Sequence, residues 1–112
     1  KGVYDNNNNA LEEYPSEVKT QVILPKTAET LKEMMTMTVT SGTGTGAASN
    51  YTDVAGKTGT SEDAGVWFTG FSPIEEPRWV ISVYVADGSE GSAAAVAVFR
   101  EIIDGLAVLE GI

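Results

Sequence analysis

Neither cysteine nor histidine occurs in this 112-residue chain. Without cysteine there is no disulfide and no thiolate, and without histidine the usual zinc ligands and the commonest general base are both missing. Metal chemistry and Ser-His-Asp catalysis are poor readings, and no cofactor is expected. Positive charge is scarce as well: seven Lys and Arg stand against sixteen Asp and Glu, a net charge of −9. That balance repels nucleic-acid phosphates and anionic membrane surfaces, and no basic patch offsets it. No apolar run is long enough to span a bilayer, and no signal peptide with a basic start and a small-residue cleavage site is visible. A membrane tether, if there is one, is expected outside these residues. The lack of cysteine leaves the compartment open, since cytosolic and extracytoplasmic domains alike can do without it. The length suits one small domain that buries roughly two thirds of the surface its unfolded chain exposes. The chain starts at Lys1 without an initiator Met and runs straight into patterned sequence, so it is expected to be a piece of something longer.

What is present falls into alternating segments. Gly2-Val3-Tyr4 and Leu11-Glu12-Glu13-Tyr14 flank Asp5 and the Asn6 to Asn9 run, residues that tolerate left-handed turns, and a hairpin with a loose tip is expected. Ala28, Leu31, Met34, Met35 and Val39 recur at helical spacing after Pro25, which suits a first helical turn. An amphipathic helix is predicted over 26–39, with its methionines as core filling. The glycines at 42, 44 and 46 then end it. Strands are predicted at Thr52–Ser61, Val66–Pro73 and Trp79–Ala86, separated by Glu62-Asp63-Ala64-Gly65 and Ile74-Glu75-Glu76-Pro77. Links this short make the strands antiparallel neighbours. The last strand is apolar at nearly every position, which implies cover on both faces and a helix on each side of the sheet. From Ala93 to Leu109, Val96, Phe99, Ile102, Ile103, Leu106 and Leu109 share a helical face. The predicted architecture is α+β, a three-stranded antiparallel sheet with flanking helices. Trp67, Phe68, Phe71 and Trp79 are read as core residues of that sheet.

The chemistry concentrates at Lys57-Thr58-Gly59-Thr60. Lys57 is a compact cation on a flexible stem, Thr58 and Thr60 carry hydroxyl donors, and Gly59 has no side chain to obstruct a ligand. Alternation along a strand puts Lys57 and Gly59 on one face and Thr58 and Thr60 on the other. A carboxylate-gripping edge strand is the function this layout fits. The bland alternative is a solvated lysine beside a turn, with the threonines as ordinary strand formers.

Context decides between them. With Thr40-Ser41-Gly42-Thr43-Gly44 upstream, Trp67-Phe68 and Gly70-Phe71 after the triplet, and Phe99-Arg100-Glu101-Ile102 downstream, the chain resembles the last third of a penicillin-binding protein transpeptidase domain, most closely the class B enzymes of cell-wall synthesis. The likeness runs from about Leu11 to Leu109, and it implies that residues 1–112 are the carboxy-terminal part of such a domain. In that family the triplet works with a Ser-x-x-Lys and a Ser-x-Asn motif. The resemblance implies that Thr58, Gly59 and Thr60 bind the terminal carboxylate of a D-alanyl-D-alanine stem peptide, or that of a β-lactam. It further implies that Lys57 links this carboxylate field to the Ser-x-Asn serine, and that the Thr60 N–H is an oxyanion donor beside the nucleophile's own amide. The ligand would lie antiparallel to the strand like an added strand. The implied location is the extracytoplasmic face of the bacterial cytoplasmic membrane. Strands that normally cover Trp79–Ala86 would be missing, leaving an apolar edge open to self-association.

Several other patterns compete. Ser16-Glu17-Val18-Lys19 fits Ser-x-x-Lys, but Pro15 and Thr20-Gln21-Val22-Ile23 suggest an extended segment, whereas the chemistry needs the serine at a helix start. No Ser-x-Asn occurs, since Ser49-Asn50 lacks the intervening residue. The chain alone is therefore expected to lack a nucleophile. A phosphate loop ending in Gly56-Lys57-Thr58 would need glycine where Tyr51 stands and would have to open a helix. Gly42-Thr43-Gly44-Thr45-Gly46-Ala47 fits a relaxed dinucleotide pattern in the wrong context, between a helix and a strand. Asp53, Glu62 and Asp63 flank a turn and are read as structural. A second class of function stays open: a non-enzymatic α+β interaction or sensor module that uses the same edge strand for a peptide partner.

Overall fold

The computed structural model describes residues 1–18, 20–89 and 91–111. A hairpin comes first, β1 (Gly2–Tyr4) running antiparallel to β2 (Ala10–Glu13). Its tip is more organised than expected. The Asp5 carboxylate accepts the backbone N–H groups of Asn7 and Asn9, and Asn8 adopts a left-handed φ of 64°. The Asn9 N–H in particular holds the Asp5 carboxyl below the usual carboxylate range. Residues 14–18 are irregular, so Ser16 does not open a helix; Lys19, the other half of that pattern, lies outside the described residues.

Helix α1 spans Pro25–Ser41, with Pro25 in its first turn, where a missing N–H is of no consequence. Its apolar stripe is a correction to the expected core face. Val39 alone is buried among the residues of α1, while Leu31, Met34 and Met37 are exposed. The helix lies over the edge strand β3 and a short 3-10 turn at Thr45–Ala47, so only its last turns reach the core. Lys32 ties its middle to the β4–β5 link, contacting Glu29 at 3.0 Å and Glu75 at 3.2 Å.

The sheet is β3 (Ala55–Ser61), β4 (Gly65–Ser72) and β5 (Trp79–Val85), antiparallel in the order β3-β4-β5. Gly65 takes a φ of +92° where the β3–β4 turn re-enters the sheet, a backbone state that favours glycine. Helix α2 (Ala93–Leu109) crosses the sheet and sends Ala95, Val96, Phe99, Ile103 and Ala107 into the core. Ile102 and Leu109, expected on that face, are exposed instead. Val39 from α1 joins Val66, Phe68, Val83, Val96, Phe99 and Ile103 in one cluster, so both helices cover the same side of the sheet. The expectation of a helix on each side is therefore corrected. On the opposite face Val80 is 75% exposed and Tyr84 48% exposed, and Trp67, expected in the core, packs against Tyr84 there with ring centroids 4.6 Å apart and the planes tilted by 40°.

Two glycines let the core reach β3. Gly56 and Gly70 stand opposite each other in the register, over the Phe68 and Phe99 rings, whose centroids are 4.7 Å apart in an edge-on arrangement. A Cβ on Gly56 would overlap the Phe68 ring, and one on Gly70 would come within 2.8 Å of Phe99 Cζ. Buried Ser72 then fixes the approach to β3, donating to the Asp53 carbonyl at 2.6 Å and lying 2.9 Å from the Thr52 hydroxyl. The Asp53 side chain accepts the Ile74 N–H at 2.9 Å, the structural use expected for this acid.

Candidate functional site

Lys57, Thr58, Gly59 and Thr60 all lie on β3, which pairs with β4 on one side and has no strand on the other among the described residues. The register assigns their faces. Thr58 stands opposite Phe68 and Thr60 opposite Val66, both buried, so the two hydroxyl residues share the helix-covered side. Lys57 stands opposite Thr69, and Gly59 opposite Trp67, on the open side. An extended ligand running along the free edge is flanked by both faces at once. A cation and two hydroxyls of opposite orientation thus flank that free edge.

Lys57 is exposed, and its Nζ donates to the Thr58 carbonyl oxygen. It is the only charged residue on β3, β4 and β5. Its neighbours across the sheet are polar: Thr69 follows in the register and then Ser82, whose hydroxyl lies 2.8 Å from that of Thr69. This row of lysine, threonine and serine interrupts an otherwise apolar face. Neither Thr69 nor Ser82 stands out in the sequence as a site residue. Their alternation with Trp67, Phe71, Val80 and Tyr84 is the signal available there.

Thr58 has a partner that the sequence marks only as part of a family signature. The Thr43 hydroxyl, from the loop after α1, lies 2.9 Å from the Thr58 hydroxyl. Gly42 and Gly44 on either side of Thr43 both donate their N–H to the Thr38 carbonyl, at 3.2 and 3.0 Å. The loop is thus fastened to the end of the helix, with Thr43 turned toward the strand. Thr43 also lines two shallow clefts, one shared with Met34, Met37 and Thr38 of α1, the other with Ser92, Val96 and Ala97 at the start of α2.

The edge strand brings together one cation and two hydroxyls, groups whose chemistry suits an acceptor-only ligand. Among the described residues no group of His, Cys, Asp and Glu is placed to hold a metal ion. Nor does any helix have the length and apolarity to cross a membrane. Ser16 lines a cleft with Lys1, Glu13, Tyr14 and Pro15 at the base of the hairpin, a lining that includes no residue of β3.

The α+β arrangement of a three-stranded antiparallel sheet with two helices matches a transpeptidase-domain fold. The chain belongs to the penicillin binding protein transpeptidase domain family, which its sequence matches over residues 1–104. It is 38% identical over 116 residues to Penicillin-binding protein PbpB of Mycolicibacterium smegmatis, a match covering 81% of this chain and 17% of that protein. It is 33% identical over 101 residues to the Probable peptidoglycan D,D-transpeptidase PenA of Neisseria flavescens, covering 76% of this chain and 25% of that one. Among solved structures, the crystal structure of the D,D-transpeptidase domain of a peptidoglycan glycosyltransferase from Eggerthella lenta matches with a TM-score of 0.75 and 29% identity, over 99% of this chain and 27% of that chain. The chain spans about a quarter or less of the length of the curated relatives it matches. The family and the α+β fold inferred from the residues are both borne out.

Proposed function

We propose that residues 1–112 are the carboxy-terminal part of a serine D,D-transpeptidase domain of the class B kind, acting in peptidoglycan cross-linking. In this reading β3 holds the substrate and the nucleophilic serine is supplied by sequence outside these residues. The observation that carries it is Lys57, the one charge on β3, β4 and β5, at the free edge and followed by Thr58 and Thr60. A carboxylate is acceptor-only, so an ammonium and two hydroxyls suit it, and the low charge of the rest of the sheet leaves Lys57 uncontested.

The reaction has two balanced steps. The serine oxygen bonds to the carbonyl carbon of the penultimate D-alanine, the peptide C–N bond breaks, and free D-alanine leaves with the serine's proton. An amine from a neighbouring strand then forms a new C–N bond, the ester C–O bond breaks, and a proton returns to the serine. Thr58, Gly59 and Thr60 bind the stem-peptide terminus, or the carboxylate of a β-lactam. The Thr60 N–H stabilises the oxyanion, and Lys57 steadies the carboxylate and the field at the serine. The reaction belongs on the extracytoplasmic face of the bacterial cytoplasmic membrane, with the tether lying outside residues 1–112.

Fluorescent penicillin labelling tests this. In the natural protein that carries these residues, Lys57→Ala is expected to slow acylation roughly 10- to 150-fold, the worth of a charge-assisted hydrogen bond, while circular dichroism stays unchanged. An unaltered acylation rate counts against the role of Lys57. The 112-residue chain alone is expected to form no covalent adduct, and a stable penicilloyl group on any of its residues overturns the assignment of the nucleophile elsewhere.

A further inference from the structure

We infer that Thr43 is a positioning residue: its hydroxyl, donated to Thr58, aims the single Thr58 hydrogen at the ligand carboxylate. The inference rests on the proposed role of Thr58 and goes beyond it, because Thr43 lies fifteen residues earlier, on a different element.

A hydroxyl has one hydrogen and two lone pairs. With the hydroxyl oxygens of Thr43 and Thr58 2.9 Å apart, either can be the donor in the free protein. An arriving carboxylate removes that freedom, because it can only accept. Thr58 must then give its hydrogen to the ligand and receive one from Thr43. The chain of donation then runs from Thr43 to Thr58 to carboxylate, and the first link keeps the Thr58 hydrogen turned to the ligand and not back to Thr43.

The backbone around Thr43 is built to hold that link. The N–H groups on both sides of it converge on the one Thr38 carbonyl. Gly44 is buried, and a Cβ there would come within 3.1 Å of both Phe68 Cε2 and Thr38 Cγ2. The Gly44 carbonyl in turn accepts the Ala47 N–H at 2.9 Å, joining the loop to the 3-10 turn. Thr43 itself is exposed while both its neighbours are fastened down, so its side chain is free of packing duty and available for Thr58. Phe68 completes the arrangement, since its ring occupies the space a side chain at Gly44 would need and it stands opposite Thr58 in the sheet.

The test uses the natural protein carrying these residues and a fluorescent penicillin with a free carboxylate, with second-order acylation constants measured for wild type, Thr43→Val, Thr43→Ala, Thr43→Ser, Thr58→Val and the Thr43→Val/Thr58→Val double variant. Thr43→Val and Thr43→Ala are each expected to lower the constant about 3- to 12-fold, the range of one neutral hydrogen bond, with Thr43→Ser near wild type. On the Thr58→Val background Thr43→Val is expected to have no further effect, because its partner is already gone. Two results overturn the inference alone while wild type is acylated normally: Thr43 variants that match wild type, or losses at positions 43 and 58 that multiply in the double variant. The second marks a merely structural role. A wild-type protein that takes no penicillin at all removes the transpeptidase reading and this inference with it.

Discussion

Substituting Gly56→Ala tests how β3 is held at its height above the core. The added Cβ overlaps Phe68 Cζ, lies 2.7 Å from Cε1 of the same ring, and lies 3.0 Å from the Thr69 carbonyl oxygen. Phe68 has no room to withdraw: it is fully buried, with Phe99 edge-on to it at 4.7 Å. Overpacking of a tight core costs about 1–3 kcal/mol, and a rigid ring on one side with backbone on the other puts this site at the upper end. For a domain of this size that lowers the melting temperature by on the order of 10 °C. Gly59→Ala, three residues along the same strand, is the control. Its Cβ would meet only Trp67 Cβ, at an ordinary 3.4 Å, and the gain in chain stiffness leaves stability level or slightly raised, by up to about 1 kcal/mol. Thermal and urea unfolding of the two variants, followed by circular dichroism, decides the matter. If Gly56→Ala melts with wild type, or if both variants shift equally, β3 does not rest on the Phe68 ring and the account of its placement is wrong.

Other expectations follow from the same structure. Gly105 sits inside α2, and a methyl group added there would meet nothing within 4 Å, so Gly105→Ala is expected to stabilise the chain by about 0.5–1 kcal/mol; a lower melting temperature would contradict this. Glu29 first, and then Glu75, hold the Lys32 pKa above its ordinary 10.5. A raised folded-state pKa means that the stabilisation is complete below 10.5 and disappears as pH climbs through the folded value. The advantage of wild type over Lys32→Met should therefore fade only in strongly alkaline buffer, and an advantage that is flat with pH would refute the pairing. The outer edge of β5 has no partner among the described residues, and Val80 on it is 75% exposed. Dimers or larger assemblies are expected for the isolated chain, and monomers by light scattering at high concentration would remove that idea.

Much of the arrangement was readable in the residues, for reasons that differ between elements. The β3 to β5 meander was legible because Glu62-Asp63-Ala64-Gly65 and the link at Ile74 to Pro77 mark turns on either side of β-forming runs. α2 was legible within its full span of Ala93–Leu109, although its inward face is centred on Phe99, Ile103 and Ala107 and leaves Ile102 outside. The face of β5 bearing Val80 and Tyr84 was misjudged, because hydrophobicity marks a surface that gains from cover without saying which atoms supply it. The methionines of α1 misled for a related reason: a helical period fixes which residues share a stripe, whereas the packing partner fixes how much of that stripe is enclosed. The edge position of Lys57 to Thr60 was anticipated by likeness to the family. The contact from Thr43 was not, since a hydroxyl pair across fifteen residues leaves no periodic trace.

The glycine pair beneath β3 gives the molecule a mechanical property as well as a fit. A strand seated directly on aromatic rings has no slack, so a tilt of Phe68 or Phe99 is passed upward as a shift of the atoms at the rim. Substitutions beneath the sheet that displace either ring are therefore expected to shift β3 without altering a side chain on its rim.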